Sequence, residues 1–131
     1  MTKKLREEVR QKYNGLCGYT GKPLDEKWQV DHIIPKSHHM WYQPTTTKPD
    51  DLMNLLPALR IVNHYKRCRD LEAWREFLLT LHERLKRLPK NPTVQKSIRH
   101  KEYLLEVADA FGITITTPFT GKFYFETTIT K

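Results

Sequence analysis

At 131 residues, with 38% hydrophobic and 11% aromatic content, the chain has the size of one domain and enough apolar material for a core, which excludes a disordered segment. Its 23 Lys and Arg outweigh 15 Asp and Glu to give a formal +8, a balance suited to a polyanionic partner such as nucleic acid or an anionic membrane surface. The opening MTKKLREEVR is too charged for a secretory signal, no run is apolar enough to cross a bilayer, and Cys17 and Cys68 form no Cys-x-x-Cys pair. The expectation is a soluble, cytoplasmic protein without a disulfide framework or a four-cysteine zinc site.

Leu5, Val9 and Tyr13 recur at helical spacing over residues 3–14 and predict an amphipathic helix stopped at Asn14-Gly15. From Leu16 to Pro35, turn residues Gly18, Gly21 and Pro23 precede the β-prone run Trp28 to Ile34, which predicts a short hairpin. Residues 36–51, with His38, His39, Pro44, Pro49 and Asp50-Asp51, carry no apolar period and read as a long loop. Trp41 and Tyr42 in that loop either stack on a base or anchor the loop.

Asp51 is placed to cap a short turn through Asn54, and a short basic helix is predicted after Pro57 through Lys66. Asp70 caps a longer helix with an apolar stripe through Leu71, Trp74, Leu78, Leu81, Leu85 and Leu88, ended by Pro89 and Pro92. A further helix over roughly 94–110 is stopped by Gly112. The tail, Ile113 to Thr116 and Lys122 to Thr127, predicts a β-hairpin. The charge is uneven: residues 60–101 hold the whole positive excess, which favours a phosphate-binding face over an ordinary solvated one.

Asp31 and His32 stand together at the end of a predicted strand, where one can bind a metal while the other reaches a water. A lone Asp-His pair is weak; Asn54, then Asn63 and Lys66 on one side of the short helix, give it a context. The stretches Leu16 to Leu24, Val30-Asp-His-Ile-Ile-Pro-Lys-Ser37, Asp51-Leu-Met-Asn-Leu-Leu-Pro57 and Val62-Asn-His-Tyr-Lys66 together resemble the HNH, or ββα-metal, endonuclease family.

That resemblance covers about half the chain. It implies a ββα-metal core over about 15–70; with the helices and the C-terminal β-hairpin read from the residues within 71–131, the expectation is an α+β fold in one domain over 1–131. It implies an endonuclease that hydrolyses phosphodiester bonds in DNA, most simply duplex DNA, leaving a 5′-phosphate and a 3′-hydroxyl. His32 falls at the general-base position, Asn54 at the middle Asn that steadies the loop beside it, and Asp31 and Asn63 at the ligands of one divalent cation. The last position is often His in the family, and Asn there is a substitution seen in the HNH domains of RNA-guided CRISPR nucleases. A carboxylate and an amide oxygen suit Mg²⁺ or Mn²⁺. Lys66, Arg67 and Arg60 are expected to neutralise phosphate.

Where many members hold structural zinc through two Cys-x-x-Cys pairs, this chain has Cys17, Thr20, Leu59 and Val62. Apolar packing without structural zinc is the expectation. His64, one residue past Asn63, is turned about 100° away on a helix and is expected at the surface or the DNA backbone. His82 and His100 have ordinary surface readings. The alternative to catalysis is an inactive nucleic-acid-binding module of the same fold. A protein-interaction role for the Leu71–Leu88 stripe requires that the stripe be exposed.

Overall fold

The computed structural model describes residues 1–37 and 48–128. His38, His39, Trp41 and Tyr42 lie outside them. The chain forms two compact units, residues 1–74 with 123–131, and residues 75–122.

In the first unit, α1 (Lys3–Gln11) begins at Thr2, whose hydroxyl accepts from Leu5 N at 3.1 Å. Its apolar face puts Val9, with Leu5, against Trp28 and Leu55, and Arg6 lies 3.9 Å over the Trp28 ring while donating to its carbonyl. Asn14 and Gly15 take positive φ and turn the chain away. A single bridge, Leu16 to Pro23, closes the next turn. At Gly21, with φ +75°, an added Cβ would come 2.7 Å from the Tyr124 ring, so only glycine fits.

The sheet is a two-stranded antiparallel pair. β1 (Gln29–His32) pairs with β2 (Leu55–Ala58) in the register Gln29–Ala58, Val30–Pro57, Asp31–Leu56 and His32–Leu55. β1 is therefore not one arm of a local hairpin as its sequence suggested; its partner lies beyond the long connection. The Leu55–Ala58 segment, expected in part to open a helix, is a fully buried strand, with Pro57 O accepting from Gly18 N at 2.7 Å. After Leu59 the chain enters α2 (Arg60–Lys66), which packs on β1. The local order is strand, strand, helix.

α3 (Leu71–Leu79) starts at Asp70, whose carboxylate accepts from Ala73 N at 2.9 Å. Its Trp74 joins Tyr19, Tyr65 and Phe123 in an aromatic cluster of edge and stacked contacts 5.1–6.1 Å apart.

In the second unit, the stripe that predicted one long helix is broken at Thr80 into α3 and α4 (Leu81–Lys86). Leu78, Leu81 and Leu85 are buried, as are Leu104, Val107 and Ala108 of α5 (Gln95–Phe111), so most of the stripe is core. Gly112 ends α5 in the left-handed conformation its sequence position predicted.

The predicted C-terminal hairpin is not formed. Thr114 and Thr117 exchange backbone hydrogen bonds in one tight turn, and Ile113 and Phe119 are buried. The aromatic run instead belongs to the first unit: Phe123 is fully buried, and Tyr124 N and Phe125 N donate to Tyr19 O and Gly18 O. It then makes the single turn α6 (Tyr124–Thr127). Burial of aromatic surface overrides the local β preference there. The architecture is mixed helix and antiparallel strand, and among the described residues no helix is long and apolar enough to cross a membrane.

Candidate functional site

β1 presents alternate residues to α2, and two side chains of α2 meet them. Asn63 Nδ2 donates to Gln29 Oε1 at 2.8 Å, and Lys66, one helical turn later, reaches Asp31. The pairing follows from two periods: Gln29 and Asp31 are two apart on a strand, Asn63 and Lys66 three apart on a helix.

Asp31 is buried and fully engaged. Lys66 Nζ lies 3.3 Å from its Oδ1 and 3.2 Å from its Oδ2, and donates also to His32 O at 3.0 Å. The Tyr19 hydroxyl donates to Asp31 Oδ2. Relative exposure is 5% for Asp31 and 0% for Lys66. Burial pushes the Asp31 carboxyl above its ordinary value, against the opposing pull of Lys66 and the Tyr19 hydrogen bond. The same burial, with the neighbouring carboxylate, pushes the Tyr19 phenol well up, so it stays a donor.

His32 is partly exposed, and its Nε2 lies 2.8 Å from Asp50 Oδ1. Asp50 is 57% exposed along its side chain, and the hydrogen bond to His32 holds its carboxyl below the usual range. Asn54 caps nothing; it staples. Its Oδ1 accepts from Ile34 N at 2.8 Å, and its Nδ2 donates to Ile34 O at 3.1 Å and Pro49 O at 3.0 Å. The short 3₁₀ turn Leu52–Asn54 that presents it is itself pinned by Lys12, whose ammonium donates to Leu52 O and Leu55 O. Asp51 precedes that turn without capping it; its carboxylate accepts from Lys48 N.

Asp31, His32, Asn54, Asn63 and Lys66 thus all lie on the β1–β2–α2 unit. Arg60 and Arg67 are exposed on α2 and just beyond it, whereas Lys66, expected to meet phosphate, points inward and is wholly buried. His64 is exposed. Of the four positions where members of the resembled family carry zinc ligands, Cys17 and Val62 are fully buried and Thr20 and Leu59 partly so.

Three participants carried no site role on sequence grounds: Tyr19, Gln29 and Asp50. Strand alternation from Asp31 could have found Gln29. Tyr19 and Asp50 approach through turns that leave no periodic signal.

As a test for a divalent cation, the donor types fit: one carboxylate and one amide oxygen are hard ligands. Their arrangement adds a condition, because a monovalent ammonium already rests on both oxygens of the carboxylate in that pair. No protein-family model, curated protein or solved structure matches the chain.

Proposed function

We propose that the protein is a metal-dependent endonuclease that hydrolyses phosphodiester bonds in DNA, resembling the HNH family, with His32 as general base. The observation that carries this reading is the Asn54 staple: it ties down Ile34, two residues past His32, and Pro49, next to the Asp50 that His32 contacts. Fixing the backbone on both sides of the His32–Asp50 contact supports an imidazole oriented by a carboxylate, the arrangement a general base needs.

With Nε2 donating to Asp50, Nδ1 is the nitrogen left to take a proton from an attacking water. Asp31 and Asn63 would hold one divalent cation, Mg²⁺ or Mn²⁺, which when bound supplies Lewis acidity at the phosphate and leaving oxygen. Arg60 and Arg67 are exposed on the same segment and suit phosphate neutralisation. The second reading, a nucleic-acid-binding module without turnover, is favoured by one fact: the Asp31 carboxylate is already neutralised by Lys66.

The deciding experiment incubates supercoiled plasmid with wild type and His32→Ala in Mg²⁺, Mn²⁺ or EDTA. The nuclease reading expects metal-dependent cleavage that falls at least about a hundredfold in His32→Ala, with DNA binding retained. Binding without cleavage in any metal selects the module.

A further inference from the structure

The Lys66 ammonium, wholly buried, occupies the one carboxylate assigned to a cation. We propose that Lys66 is an internal counter-cation that keeps Asp31 closed, so that a divalent ion engages Asp31 only when Lys66 swings out. This rests on the nuclease reading for the identity of the ion, and deepens it by making metal entry a competition within the protein.

Three observations converge. Lys66 lies within 3.3 Å of both Asp31 oxygens, so an ion placed against either meets the ammonium. Lys66 is 0% exposed, so its departure must open the site as well as leave the Asp31 carboxylate without its counter-charge. Its third contact, His32 O, is a backbone group that remains fixed by the strand whether or not Lys66 is present. Like charges cannot share a buried carboxylate without strong mutual repulsion, so either the ammonium or the dication is there.

The test is Mn²⁺ titration into DNA-free protein by calorimetry, comparing wild type, Lys66→Arg and Lys66→Met. If the closed state holds at least nine-tenths of the population, removing the lock tightens apparent affinity by about tenfold or more. Lys66→Met is therefore expected to bind Mn²⁺ at least that much tighter than wild type, and Lys66→Arg, which keeps a cation, to stay weak. Equal or weaker binding by Lys66→Met overturns the proposal, and heat from none of the proteins overturns it together with the metal assignment.

Should Lys66→Met fail to fold, wild type carries the test through reductive methylation with formaldehyde and cyanoborohydride, read by peptide mass. Lys66 should be protected relative to the exposed Lys3 and Lys4 without metal and become reactive as Mn²⁺ is added. Reactivity equal to Lys3 without metal, or protection persisting at saturating Mn²⁺, overturns the lock. Neither measurement reads cleavage, so a protein that binds Mn²⁺ as expected but leaves plasmid intact refutes the nuclease reading alone.

Discussion

The side-chain amide of Asn54 satisfies both backbone groups of Ile34, accepting from its N–H at 2.8 Å and donating to its carbonyl at 3.1 Å. An Asn used this way mimics the backbone of a neighbouring strand. It joins the end of β1 to the approach to β2, which are separated by the long connection.

Removing that staple should cost stability before it costs chemistry. Asn54→Ala leaves one N–H and two carbonyls without their partners, a loss of about 2 kcal/mol or more. Asn54→Asp keeps the acceptor but turns carboxylate lone pairs toward two carbonyls, so it should be at least as damaging. Urea unfolding of both variants checks this; an Asn54→Asp as stable as wild type would refute the assigned hydrogen-bond directions.

The Asp31–Lys66 pair predicts strong non-additivity. Breaking a buried pair strands a charge, so Lys66→Met should lose about 3–5 kcal/mol in metal-free buffer, and Asp31→Asn a similar amount. The double variant, which strands nothing, should return to within about 1 kcal/mol of wild type. A double variant as unstable as the sum of the singles would mean that the two side chains act independently.

The raised Asp31 carboxyl gives a pH dependence of unusual sign. Because its folded-state value lies above the ordinary 3.8, the folded state binds the proton more readily than the unfolded chain. This group therefore stabilises the fold as pH falls through the folded value, with the gain complete below 3.8. Asp31→Asn cannot titrate, so the stability gap between wild type and variant should widen on acidification over that window. Denaturant melts at stepped pH test this, and a gap that narrows would reverse the assigned direction.

What the sequence made legible and what it hid follow a physical line. Gly112 and Asp70 act on their own backbone, and both ends were read correctly. β2 was hidden because Pro57 resembles a helix start, yet the strand pairs at Pro57 and needs no N–H from it. The tail's Phe123-Tyr-Phe run has β propensity but is drawn into the Tyr19–Trp74 cluster. Asp31, His32, Asn54 and Asn63 were singled out by a family resemblance and their spacing, and the fold places all four on one strand–strand–helix segment. The inward turn of Lys66 was not, because among Arg67, Arg69 and the other basic residues nothing marks one lysine as buried.

The same distinction reshapes the expected DNA-binding face. Arg84 sits among the basic residues of the 60–101 segment, yet its guanidinium donates to Phe77 O at 2.8 Å and to the Thr80 hydroxyl and lies 4.1 Å over the Phe77 ring. It is committed to its own unit. Lys86, Arg87 and Lys90 are exposed. If these three bind phosphate, replacing them with Ala should weaken affinity for duplexes of unrelated sequence alike and flatten log K against log salt by roughly 0.9 for each phosphate no longer neutralised. Arg84→Ala should instead lower the unfolding midpoint while leaving the salt slope unchanged. Fluorescence anisotropy across a salt series separates the two effects. An unchanged slope in the triple variant would assign phosphate binding to Arg60 and Arg67 of the first unit, on His32's own segment, and would leave the second unit's charge as a solvated helix surface.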